Sequence, residues 1–120
     1  MANLNQVFII GNVGKDPEMR FTPSGKPVTS FNVAVNSKHG ETESTEWFSI
    51  VTWDKLAETC NQYLTKGQQV FVEGRFQTRS WEDKDEVKHY KTEVIANKVL
   101  FLGQRKQGET PSEGAEGDLF

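Results

Sequence analysis

From Val28 to Asn36 the chain alternates, with Phe31, Val33 and Val35 facing one way and Ser30, Asn32 and Asn36 the other. A period of two marks a half-buried β-strand, because successive side chains of an extended backbone point to opposite faces. Glu46 to Trp53 is rich in β-formers, Gln69 to Trp81 alternates again, and Tyr90 to Leu102 is a last β-rich stretch. Near the start, Val7-Phe8-Ile9-Ile10 is a short apolar run closed by Gly11-Asn12-Val13-Gly14 and the turn pair Asp16-Pro17. Thr22-Pro23-Ser24-Gly25-Lys26-Pro27 supplies a second turn. A chain so dominated by period-two segments must close or cover its sheet, since one apolar sheet face cannot be left in water.

One segment departs from that rhythm. Leu56, Cys60, Tyr63 and Leu64 fall at helical spacing, Asp54 is placed to cap them, and Gly67 ends the segment. The order is three strands, one helix and two strands. The fold class that follows is all-β with one helix, specifically a five-stranded OB-fold barrel with the helix between strands three and four. At 120 residues there is room for one domain of ordinary size. It is assigned to residues 1–103, with 104–120 as a flexible acidic tail.

The tail assignment rests on charge. The whole chain has 14 Lys and Arg against 17 Asp and Glu, a net of −3. Glu109, Glu113, Glu116 and Asp118 lie in residues 107–120, which hold no basic residue, so positions 1–106 carry 14 basic against 13 acidic. That tail has three Gly, one Pro and no apolar side chain larger than Ala115 before Leu119, a composition that cannot offset its ordering entropy. Its end, Asp118-Leu119-Phe120, has the form of a short linear motif for a basic-rimmed apolar pocket on a partner, although chain ends also drift. No apolar stretch is long enough for a membrane span, and residues 1–30 lack the pattern of a signal peptide. A single cysteine, Cys60, fits a reducing compartment and a cytoplasmic protein.

Catalytic and metal chemistry find little footing. Gly11-Asn12-Val13-Gly14-Lys15 has two residues between its glycines where a phosphate loop needs four, and Asp16 stands where Ser or Thr should follow. His39 and His89 are fifty positions apart, so with Cys60 they offer no metal-ligand spacing. No nucleophile motif is present, and neither an enzyme, a cofactor nor a metal is expected.

The strand faces are more informative. In the third strand, alternation puts Trp47, Ser49, Val51 and Trp53 on one face and Phe48, Ile50 and Thr52 on the other, with the two Trp about 20 Å apart. If Phe48 and Ile50 enter the core, both Trp face out. In the fourth strand Glu73, Arg75, Gln77, Arg79 and Trp81 share a face. Exposed Trp beside Arg is a surface on which unpaired bases stack while cations follow the phosphates. Filling of a core or of an oligomer interface is the competing use for each Trp.

Taken in order, Gly11-Asn12-Val13-Gly14-Lys15-Asp16-Pro17-Glu18, Arg20-Phe21, Glu46-Trp47, Lys55-Leu56-Ala57-Glu58, Tyr63-Leu64-Thr65-Lys66-Gly67, Val70-Phe71-Val72-Glu73-Gly74 and Thr78-Arg79-Ser80-Trp81 closely resemble bacterial-type single-stranded DNA-binding protein. The likeness runs over about residues 4 to 103. It implies an OB-fold subunit, usually a homotetramer, that coats and protects exposed single strands in replication, repair and recombination, associated with the bacterial nucleoid. By the same resemblance Trp47, Trp53 and Trp81 are stacking positions, and Arg20, Lys55, Lys66 and Arg79 are phosphate contacts. Asp118, Leu119 and Phe120 would recruit replication, repair and recombination proteins.

Three departures from the family's pattern stand out. Ser37-Lys38-His39-Gly40 has His39 where members commonly carry another Trp. Glu41, Glu43 and Glu46 oppose Lys38 in one hairpin, and Glu82, Asp83, Asp85 and Glu86 oppose Lys84 and Lys88 in the other, which shifts binding toward stacking. The tail is short and lacks consecutive Asp residues and a Pro before the final Phe. An OB-fold adaptor for other proteins and a helper subunit of a separate enzyme are the rival readings.

Overall fold

The computed structural model describes residues 2–103, and the predicted tail with Asp118, Leu119 and Phe120 lies outside the described residues. Six strands and one helix follow in the order β1 (Val7–Val13), β2 (Glu18–Phe21), β3 (Pro27–His39), β4 (Thr42–Trp53), α1 (Asp54–Tyr63), β5 (Gln69–Glu82) and β6 (Lys88–Gly103). β1 pairs antiparallel with β5 along most of its length and with β3 at Asn12–Ala34 and Val13–Val33. β3 pairs with β4, β5 with β6, and a short parallel ladder joins β4 to β6 at Ile50–Val94 and Val51–Ile95. The ring β1-β3-β4-β6-β5-β1 therefore closes on itself, which is the five-stranded OB barrel expected from the sequence.

The helix falls between the third and fourth strands of that ring, as expected. The numbering is raised by β2, a four-residue strand on the outer edge of β3 that the sequence pattern does not mark. Only Met19 on β2 lacks full exposure, so its pattern carries no core stripe from which a strand is read.

The barrel is filled by Ile9, Val13, Phe31, Val33, Ile50, Val70, Val72, Val94 and Ala96, with Cys60 and Leu64 entering from the helix side. Alternation was thus a sound guide on β3, where Thr29, Phe31 and Val33 are buried in turn. Gly11 corrects the reading of a turn there. β1 runs through it to Val13, and a Cβ at Gly11 would lie 2.3 Å from the Ala34 carbonyl oxygen. Glycine at this point lets two strands of the barrel approach, a packing need that looks in sequence like a turn signal. Gly74 meets the Ile95 carbonyl in the same way, beside a register shift in β5–β6.

The helix also differs in detail. Asp54 is its first residue, with φ of 57°, and the extended Trp53 before it makes no side-chain cap bond. The strand passes straight into the helix through this left-handed residue, so the carboxylate does not sit at the capping position. The helix ends at Tyr63, which is exposed, and the buried pair within it is Ala57 and Cys60. One hydroxyl anchors it to the sheet, and a second braces the strand that carries the first. Thr29 Oγ1 donates to the Ala57 carbonyl at 2.7 Å, and Thr52 Oγ1 donates to the Thr29 carbonyl at 2.9 Å. Burial pushes the Cys60 thiol up to about 11, so it stays protonated and serves as a small core residue. No helix of the described residues is long and apolar enough to cross a membrane.

Candidate nucleic-acid interface

β3–β4 and β5–β6 extend as two hairpins past the short seam between β4 and β6. Between them and the β1–β2 region lies an open groove of about 580 Å³. Its walls include Trp53, Phe21, Ser30, Asn32 and Ser49, with Lys15, Arg20, Arg79 and Lys91 as cations and Glu18 and Glu93 as anions. Phe48, Ile50 and Thr52 are wholly or partly buried on the opposite face of β4, and this turns Trp47 and Trp53 outward, as alternation requires. Trp53 keeps 40% of its surface exposed and Trp47 59%.

Each Trp rests on a different support. Trp47 lies over Gly14: a Cβ there would be 2.3 Å from Cζ3 of its ring, so the missing side chain is the seat of the indole. Trp53 borders the groove at the point where β4 turns into the helix. Trp81 sits on the β5–β6 hairpin opposite His89, with the two rings stacked at 5.5 Å between centroids and 22° between planes. The Arg79 guanidinium carbon lies 5.0 Å from the Trp81 ring centroid, a cation–π contact. The same guanidinium donates from Nε to Oε1 of Glu93 at 3.0 Å.

The tip of this hairpin is organised by one carboxylate. Asp83 Oδ1 accepts from the backbone N–H groups of Asp85 and Val87, at 2.8 and 3.0 Å, and Oδ2 meets Nε2 of His89 at 2.7 Å. Those bonds, the His89 contact foremost, hold the Asp83 carboxyl below its ordinary value. They allow Glu86 its left-handed φ of 63° at the turn. Of the acidic loop residues noted in the sequence, Asp83 is thus a structural ligand of its own loop.

The structure brings Trp53, Arg20 and Arg79 together in one groove, and the other expected site residues among those described do not line it. Trp47 and Trp81 are displayed on β4 and β5, outside the groove lining, and His39 is exposed at the end of β3. Lys55 is exposed on the first turn of the helix. Lys66 lies in the loop after the helix, its backbone N–H donating to Oδ1 of Asp16 at 3.0 Å, and neither lysine lines the groove. Four groove residues went unread in the sequence. In the sequence Lys15 stands only in a failed phosphate loop and a family motif, and Phe21 only in a motif. Lys91 and Glu93 become visible from register, because Lys91 lies directly opposite Arg79, and Glu93 opposite Gln77.

Among the described residues no group of His, Cys, Asp and Glu is arranged to hold a metal ion. What the surface offers is aromatic plates, hydrogen-bonding hydroxyl and amide groups, and partly neutralised cations on a rigid β scaffold.

Comparison with known proteins gives the same direction. The model of the single-strand binding protein family matches residues 4–102. A single-stranded DNA-binding protein of Caldanaerobacter subterraneus is 45% identical over 122 residues, covering 96% of this chain and 81% of that one. Single-stranded DNA-binding protein 1 of Chlorobaculum tepidum is 44% identical over 118 residues, covering 93% of this chain and 73% of the relative. Among solved structures, a Plasmodium falciparum SSB complex with ssDNA superposes with a TM-score of 0.79 at 29% identity, covering 86% of this chain and 98% of that one. With the barrel, the order of motifs and the extent of the match in agreement, the chain belongs to the single-strand binding protein family.

Proposed function

We propose that this protein binds single-stranded DNA with little sequence preference and coats it, without catalysis, by stacking bases on Trp47, Trp53 and Trp81. Arg20 and Arg79, joined by Lys15 and Lys91, meet the phosphates along the groove; Lys55, Lys66 and His39 contribute from its surroundings. The observation that carries this reading is the groove itself, where Trp53 stands between cations on an open β surface of two hairpins. Every base has a π-face, so such plates read stacking rather than sequence. The relatives named as single-stranded DNA-binding proteins, and the neighbour solved with ssDNA, support the choice of ligand. A role in replication, repair and recombination in the bacterial cytoplasm, at the nucleoid, follows from coating exposed strands.

Self-association belongs to the same reading. Phe8 and Ile10 are exposed on the outer face of β1, with Phe8 stacked on Phe71 at 6.2 Å, and a homotetramer would cover such a face. The tip Asp118, Leu119 and Phe120 is proposed to recruit repair and replication proteins. Titration of intrinsic fluorescence with oligo-dT at two salt concentrations tests strand binding. Quenching that saturates with oligo-dT and not with duplex supports it; an unchanged spectrum at saturating strand sinks it.

A further inference from the structure

The groove's cations do not stand free. Arg20 Nη2 is 3.6 Å from Glu18, and Glu93 reaches both Arg79 Nε at 3.0 Å and Lys91 Nζ at 3.9 Å. The two acids differ in kind. Glu18 and Arg20 have side chains 58% and 82% exposed, a loose pair that water screens. The Glu93 side chain is only 11% exposed, held on β6 between two cations of the groove. Gln77 pairs with it across the ladder, so it has no acidic neighbour directly opposite. Lys15, by contrast, has no ion pair among the described residues.

We propose that Glu93 is a built-in counter-charge that competes with the DNA backbone for Arg79 and Lys91, and so sets the affinity and salt response of the groove. The inference rests on the strand-binding reading above. Its geometry is specific. The carboxylate takes the Nε edge of Arg79, which fixes the guanidinium beside Trp81, while its charge offsets the cations that a phosphate needs. A phosphate arriving at Arg79 or Lys91 meets a carboxylate already there, and the two must share the charge of those cations. Fewer counterions are then released per bound strand, and the dependence of affinity on salt is shallow. Strand binding of this kind is held by the Trp plates and readily reversed at the phosphates.

Glu93→Gln separates charge from position, since glutamine keeps an oxygen for Arg79 Nε and loses the negative charge. Oligo-dT affinity of the full chain is measured by fluorescence from about 0.05 to 1 M salt. The expected result is tighter binding at low salt and a salt slope steeper by about 0.7 for each cation released to a phosphate. One such contact amounts to roughly eightfold at the low-salt end relative to the high-salt end. Glu93→Thr, neutral and suited to a strand, is expected to move in the same direction, and melting curves confirm folding of both. In an Arg79→Gln, Lys91→Gln background, Glu93→Gln is expected to change nothing. Unchanged or weaker binding by both folded single variants, with an unchanged slope, overturns the inference. If the unaltered protein fails to bind oligo-dT, it is the strand-binding reading that falls instead.

Discussion

Replacing Gly14 by Ala tests whether the placement of a stacking ring is set by a missing side chain. The backbone at Gly14 is not in the left-handed region, so alanine meets no conformational penalty there, and it lowers the entropy of the unfolded chain. The conflict is with the indole. The added Cβ would lie 2.3 Å from Cζ3 and 2.8 Å from Cη2 of Trp47, whereas carbon atoms rest at about 3.5–4.0 Å. The ring must therefore lift by more than about 1 Å. Trp47 is exposed enough to do so at little expense, and stability should change by less than about 1 kcal/mol. Binding should suffer more. A base stacked on an aromatic side chain is worth about 1–3 kcal/mol, and a displaced plate should forfeit about half of that, a loss of roughly threefold to tenfold in oligo-dT affinity. Fluorescence titration gives the affinity, and a thermal melt gives the stability. The decisive arm is the double variant. If Gly14 acts through the ring, Gly14→Ala has no further effect in a Trp47→Ala background. Equal losses in both backgrounds, or full affinity in Gly14→Ala alone, would refute this account.

Other consequences can be measured directly. Gly11→Ala drives a Cβ into the Ala34 carbonyl, which cannot rotate away, and should cost about 2–3 kcal/mol in denaturant unfolding; a loss below 0.5 kcal/mol would contradict that packing. Thr29→Val removes the donor to the Ala57 carbonyl without changing shape, and should cost about 1–3 kcal/mol in the same assay, with no change in strand affinity. The Asp83 carboxyl is held below its ordinary value of 3.8, so its contribution to hairpin order is complete above that value and is lost as pH falls through the lowered one. Amide protection at Val87 should fall on that acid limb, and Asp83→Asn should abolish the limb. Neutralising Lys15 should flatten the salt slope more than neutralising Lys55 or Lys66, which lie off the groove; equal effects would redraw the path of the strand.

Alternation makes the barrel legible because β3 and β5 bury every second residue in their barrel halves, which fixes side-chain direction there. The same logic turns Trp47 and Trp53 outward from the sequence alone. It did not reveal β2, whose residues are almost wholly exposed and whose pairing depends only on the β3 edge. Gly11 was read as a turn because the reason for glycine, a carbonyl from a strand more than twenty positions away, is not a local signal. Glu93 stayed hidden for a related reason. Lys91 lies two positions away on β6 and Arg79 diagonally across on β5, and only the β5–β6 register brings them to one groove.

The parallel seam of the barrel consists of two residue pairs, Ile50–Val94 and Val51–Ile95. Beyond it the arms, Thr42–Ser49 with its β3 partner and Gln77–Glu82 with its β6 partner, share no ladder. Mechanically, a seam of two pairs is a short bearing, which resists a change of angle between the arms less than a long ladder would. A change of angle between the arms would shift Trp53, at the root of β4, less than Trp81, far out on β5. Were both rings to carry bases, as proposed, Trp53 would be the steadier plate and Trp81 the one able to follow a polymer whose base spacing varies.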